Sequence, residues 1–130
     1  MMDKNSNLLI KIIVFLGVLF VLIITITTIN YINKFNNKIS KDIAYEYIDA
    51  VESMMIRQIM YGQNFNGTYK ILENGNMDSY EISIRNDSKP TGGFLTITNN
   101  KVIEGCLDIN NNKVEIKNYK VDSVKKGKCE

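Results

Sequence analysis

From Leu8 to Ile29 the chain runs for 22 residues in which every side chain is apolar or a threonine, apart from Lys11 and Gly17. As a helix this stretch is about 33 Å long, at roughly 1.5 Å per residue, and a hydrocarbon core is about 30 Å thick. The segment is therefore long enough to span a bilayer. Lys11 lies one turn inside the edge and can extend its amine to the headgroups, so it costs less than a charge at mid-bilayer. A cleavable signal peptide is the competing reading. The run is longer than a typical signal core and ends in Thr27, Thr28, Ile29 and Asn30 with no small-x-small cleavage site, which favours an uncleaved anchor behind a short tail, residues 1–7.

The rest of the composition excludes more than it suggests. A chain of 130 residues supports one modest domain, and 16 Lys and Arg against 14 Asp and Glu leave a formal charge of +2. That balance does not describe a polybasic nucleic-acid binder. Histidine and tryptophan are absent, which removes the usual general base of Ser or Cys hydrolases and the commonest zinc ligand. No Ser, Cys or carboxylate pair has an evident activating base. The expectation is a protein with no catalytic residue, no cofactor, no metal and no small-molecule substrate. The 17 Asn and 20 Ile carry no functional conclusion.

Beyond the apolar run the helical period persists. Ile32, Phe35, Ile39, Ile43, Tyr47, Val51 and Met54 recur every three or four residues, predicting an amphipathic stem over residues 30–61. Lys38, Asp42, Glu46, Asp49 and Glu52 form a second, mostly acidic stripe that reads as a solvated face. After Gly67 the period changes to two. Thr68 to Leu72, Tyr80 to Arg85, Phe94 to Thr98, Lys101 to Asp108 and Lys113 to Val121 read as strands. Turn-forming clusters separate them: Glu73 to Ser79, Asn86 to Gly93, Asn99 with Asn100, and Asn110 to Asn112. Tyr80, Ile82 and Ile84 alternate with Glu81, Ser83 and Arg85, the pattern of a sheet with one face to cover. The predicted fold is α+β: a transmembrane helix over residues 8–29, a stem over 30–61, and an antiparallel domain of four or five strands over 62–130 against which the stem packs.

Both cysteines, Cys106 and Cys129, lie in the last quarter of the chain. A pair in a small module suggests an oxidising compartment and a candidate disulfide, with two free thiols as the alternative. The positive-inside rule gives no clean orientation, and charge counting alone slightly favours a cytoplasmic C-terminal domain. Lys4 and Lys11, offset by Asp3, precede it, and Lys34, Lys38 and Lys41 follow it. The cysteines and the shortness of the N-terminal tail place the C-terminal domain on the extracytoplasmic side of the cell membrane.

Other motifs have structural explanations. Asp108, Asn110 and Asn112 supply oxygens like the opening of a calcium loop, but Lys113 stands in place of the glycine and Tyr119 in place of the bidentate acid, so a β-turn is expected. Asn66-Gly-Thr and Asn86-Asp-Ser match a glycosylation sequon of very low specificity. Gly92-Gly93 lacks the strand-loop-helix setting of a phosphate cradle. Lys125, Lys126 and Lys128 form a small basic end.

An apolar N-terminal helix running into an amphipathic stem, then a small antiparallel sheet and a C-terminal cysteine pair, resembles a type IV pilin or pseudopilin. Lys41-Asp-Ile-Ala-Tyr-Glu-Tyr-Ile-Asp-Ala-Val-Glu52 is similar to the stem of pilin-like proteins from Gram-positive anaerobes. Lys89-Pro-Thr-Gly-Gly-Phe-Leu-Thr-Ile-Thr-Asn-Asn-Lys-Val102 resembles their Pro-x-x-Gly segment and the hairpin after it. The resemblance implies a structural or interaction subunit, a divergent minor pilin of a type IV pilus or secretion-type filament. Its partners would be membrane lipid and other copies or pilin subunits, met through the N-terminal helix. The sequence departs from the family's Gly-Phe-Thr-Leu-Ile-Glu processing motif: the glycine of the span is Gly17, and no acid lies between Lys4 and Asp42. The missing carboxylate removes the counter-charge that a neighbouring subunit's amine needs in low dielectric. A signal-anchored extracytoplasmic binding module that does not polymerise is the alternative.

Overall fold

The structure, a computed structural model, describes residues 4–85 and 88–130. Asp3, the start of the N-terminal tail, and Asn86, with its sequon, lie outside the described residues. Helix α1 covers Lys4–Ile59 without interruption. Five strands follow, β1 (Gly67–Lys70), β2 (Gly93–Thr98), β3 (Lys101–Ile109), β4 (Asn112–Lys117) and β5 (Lys120–Lys126). The chain divides into two compact units, residues 1–36 and 37–130. The first unit is the apolar part of α1. The second holds the remainder of α1 and the whole sheet.

The sheet is an antiparallel meander in the order β1-β2-β3-β4-β5. Its hairpins are made by pairs of residues in the left-handed region: Asn99 and Asn100, Asn110 and Asn111, Asn118 and Tyr119 all have φ between 51° and 68°. Two-residue loops with positive φ at both positions match the right-handed twist of the strands they join, and asparagine tolerates that conformation better than other side chains do. Five of the 17 asparagines therefore have a backbone task in these hairpins. Glycine serves a different need where β2 meets β3. A Cβ on Gly93 would collide with the Cys106 carbonyl oxygen, and one on Gly105 with that of Phe94.

One face of the sheet is buried. Leu95, Ile97, Leu107, Ile109, Val114 and Ile116 cluster with Ile43, Tyr47, Val51, Met54 and Met55 of α1. The predicted stem stripe is buried from Ile43 to Met54 and partly buried at Ile39, but Ile32 and Phe35 are exposed. Periodicity alone could not separate these two from the rest, because they continue the same three-four spacing.

Two predicted strands are corrected. Tyr80 to Arg85 is not a strand of the sheet: beyond a single bridge between Met77 and Tyr80 it pairs with nothing. The place beside β1 is taken by the preceding turn, where Asp78 N donates to Lys70 O at 2.8 Å. The segment lies along α1 instead, and Arg85 N donates to Glu46 Oε1 at 2.7 Å. Ile82 is buried while Glu81, Ser83 and Arg85 are exposed, so the alternation reported half-burial correctly without implying a ladder. Lys113 to Val121 is two strands, β4 and β5, broken at Asn118 and Tyr119. A tyrosine at positive φ is uncommon, and an aromatic residue between β-formers reads as strand.

Candidate functional site

Two surfaces stand out, one on each unit. On the first, every Leu, Ile, Val and Phe from Leu8 to Ile29 is between 40% and 65% exposed. This part of α1 is long and apolar enough to cross a membrane by length and composition. Its threonine hydroxyls are satisfied within the helix. Thr25, Thr27 and Thr28 each donate a hydroxyl hydrogen bond to the carbonyl four residues earlier, at 2.8 Å. A hydroxyl paired to its own helix leaves no donor unsatisfied in hydrocarbon. Gly17 opens a notch lined by Val14, Val18, Val21 and Leu22.

The second surface is the face of the sheet turned away from α1. Cys106 and Cys129 are joined in a disulfide. The bond ties the last residues across the middle of the sheet, and two backbone contacts reinforce it. Gly127 N donates to Asn111 O at 3.1 Å, and Cys129 N donates to Asp108 Oδ1 at 2.6 Å. Between this C-terminal strap and the strands lies an open groove of about 520 Å³ whose lining includes Phe94, Glu104, Lys113, Glu115, Lys117 and Lys128. Acidic and basic side chains both line it, so it favours neither a simple anion nor a simple cation.

The calcium-like set is dispersed. Asp108 binds the strap, Asn110 is exposed in the hairpin, and the buried Asn112 donates from Nδ2 to Ser40 Oγ at 3.1 Å. Among the described residues no three His, Cys, Asp or Glu side chains are grouped so that they could hold a metal ion. Asn66, of the first sequon, accepts a hydrogen bond from Asn99 N through Oδ1 at 2.8 Å, a structural use of its side chain. Gly93 opens β2, and Lys125, Lys126 and Lys128 are exposed at the end of β5 and in the strap.

Sequence reading missed two buried polar pairs that hold α1, one to the sheet and one to the loop between β1 and β2. One is Ser40 with Asn112. The other is Tyr47, whose hydroxyl donates to Gly75 O at 2.8 Å. Burial pushes the Tyr47 phenol far above its ordinary value. A serine at an apolar position of the helical stripe was the available signal for the first pair. The second depends on a loop 28 residues away and has no local signal.

Compared with protein-family models, with curated proteins and with solved structures, the chain matches none of them.

Proposed function

We propose that this chain is a membrane-anchored, pilin-like structural or interaction subunit that performs no catalysis and acts by holding its sheet domain at a membrane or filament surface. The observation that carries the reading is the exposed apolar half of α1. Seventeen large apolar side chains between Leu8 and Ile29 are exposed in the isolated chain, far more than a soluble monomer leaves to water. They need lipid or neighbouring helices around them. The layout of one long helix and an antiparallel sheet is compatible with a pilin-like protein, and the Cys106–Cys129 disulfide fits an extracytoplasmic placement of the sheet domain. In this reading the span sits in the cell membrane with lipid as its first partner. Other copies or pilin subunits meet it through the same helix, and neither nucleic acid nor a small-molecule substrate takes part.

One observation favours a second reading, a signal-anchored binding module that never polymerises. No carboxylate between Lys4 and Asp42 is available to pair with a neighbour's amine. Shearing intact cells and probing the filament and membrane fractions by immunoblot separates the two. Recovery with sheared filaments is expected for a subunit. Complete retention in the membrane, while other pilins shear off, would leave the anchored module as the account.

A further inference from the structure

The second unit carries two surfaces of opposite net charge. On α1, Asp42 and Asp49 are exposed and Glu46 and Glu52 half-buried; the exposed Lys38 and Lys41 precede Asp42, and no basic residue lies between positions 42 and 56. Positions 42, 46 and 49 are spaced by four and three, so these acids share one side of the helix. That is not the side that meets the sheet, which is built from Ser40, Ile43, Ala44, Tyr47, Ile48, Val51, Met54 and Met55. The second surface is the free edge of the sheet. β5 pairs with β4 on one flank only, and along it Lys120, Lys125 and Lys126 are exposed, with Asp122 the one acid of the strand.

Lysines on an edge strand have a bland explanation, since they discourage strand-to-strand aggregation. That explanation does not account for the acidic helix side. Among the described residues the chain forms one ion pair, Lys117 with Asp122 at 3.9 Å. Asp42, Asp49, Lys125 and Lys126 take part in none. Surfaces of opposite net sign, on which these four side chains have no ion-pair partner among the described residues, suit one another across a subunit boundary, where complementary potentials steer encounter and fix register.

We infer that the lysine edge of β5 docks on the acidic side of α1 in a second copy of this chain. The inference rests on the subunit reading above and gives it a specific contact outside the membrane. The two surfaces are different patches of the molecule, so the contact is heterologous: each copy offers one patch and accepts with the other. Anchoring in a common membrane confines copies to two dimensions and raises the effective concentration at which modest ion pairs act.

The test uses the full chain reconstituted in phosphatidylcholine vesicles, with an equal mixture of unlabelled and nitrogen-15-labelled protein. A carbodiimide joins amines to carboxylates in contact without a spacer. Mixed-isotope peptides linking Lys125 or Lys126 to Asp42 or Asp49 are expected. Asp42→Lys with Asp49→Lys, and separately Lys125→Glu with Lys126→Glu, each set like charges against one another. Either variant alone should lower the dimer yield by about fivefold or more. Mixing the two variants restores opposite charges across the boundary and should recover the yield. These side chains are exposed, so thermal unfolding should be the same in all proteins.

Failure of the mixture to recover would overturn the contact. So would an unchanged yield in either variant alone, or loss of the links in phosphatidylglycerol vesicles, which would mean that the lysines are held by anionic lipid instead. Recovery of the protein in sheared filaments together with a negative cross-linking result would leave the subunit reading standing and remove only this contact.

Discussion

At the scale of single residues, Tyr47 is the side chain on which pH should act. Its phenol is buried and held neutral, with its hydroxyl on Gly75 O. In the unfolded chain a tyrosine ionises at about pH 10. A group whose pKa is raised by folding contributes stability that is fully present below the unfolded value and is lost as pH rises through the gap toward the folded one. Stability should therefore fall above about pH 10, as the unfolded state gains an ionised form that the folded state cannot match. Tyr47→Phe should cost about 1 to 2 kcal/mol at neutral pH, because the Gly75 carbonyl loses its donor, and should lose less on alkalinisation than the wild type. Urea unfolding of the full chain in mild detergent at pH 7 and at about pH 10.5 reads both effects. An equally steep alkaline loss in the variant would remove Tyr47 as its source. Tyr119 presents the opposite case. It is 61% exposed and held at φ 68°, where a bulky side chain is strained. Tyr119→Gly keeps the backbone N–H that donates to Ile103 O and should raise stability by about 0.5 to 1 kcal/mol. A lower thermal midpoint in that variant would mean that the tyrosine ring contributes packing.

Among the elements, the disulfide has the largest single effect to offer. Cys106 and Cys129 are 23 residues apart, and the loop they close contains the end of β3, both hairpins that follow it, β4 and β5. Loop-entropy reasoning assigns such a closure on the order of 3 kcal/mol, which for a domain of this size is about 10 to 20 °C in the thermal midpoint. Cys129→Ser and treatment of the wild type with dithiothreitol should lower the midpoint by similar amounts, and dithiothreitol should leave the variant unmoved. What the sequence revealed of these elements follows from how local each signal is. The helix, β2, β3 and the two asparagine hairpins were legible because period, turn residues and φ preference agreed over a few neighbouring residues. The break between β4 and β5 was not, since Tyr119 occupies a position where sequence gives glycine or asparagine the advantage. Tyr80 to Arg85 misled for a different reason: its alternation records which side chains are buried, whereas strand pairing depends on whether a neighbouring edge is free. Of the surfaces, the apolar span and the cysteine pair were evident in sequence. The anchoring of the strap by Asp108 was not, because it joins residues 21 apart through a backbone N–H.

For the whole molecule, the question is how the apolar part of α1 is accommodated, and the free energy of insertion decides it. The seventeen Leu, Ile, Val and Phe residues from Leu8 to Ile29 contribute about −5 to −10 kcal/mol in total, at roughly −0.3 to −0.6 kcal/mol each for central positions. Lys11 near the edge takes back only a part of that. One arginine at mid-span costs about 2.5 to 3.5 kcal/mol, so Val18→Arg should still leave insertion favourable. Adding Leu22→Arg brings the cost to about 5 to 7 kcal/mol and should bring insertion to the balance point or beyond it. Membranes washed with alkaline carbonate should accordingly retain the wild type and most of Val18→Arg, and should lose most of the double variant, with the wild type released only by detergent. A helix packed with other copies into a soluble assembly behaves differently. The carbonate wash would then release the wild type itself, and the single arginine, placed in a tight protein interface, would already disrupt the assembly as fully as the pair does. The graded response to one and then two arginines thus distinguishes a lipid-facing span from a protein-covered one, and it does so without reference to filaments.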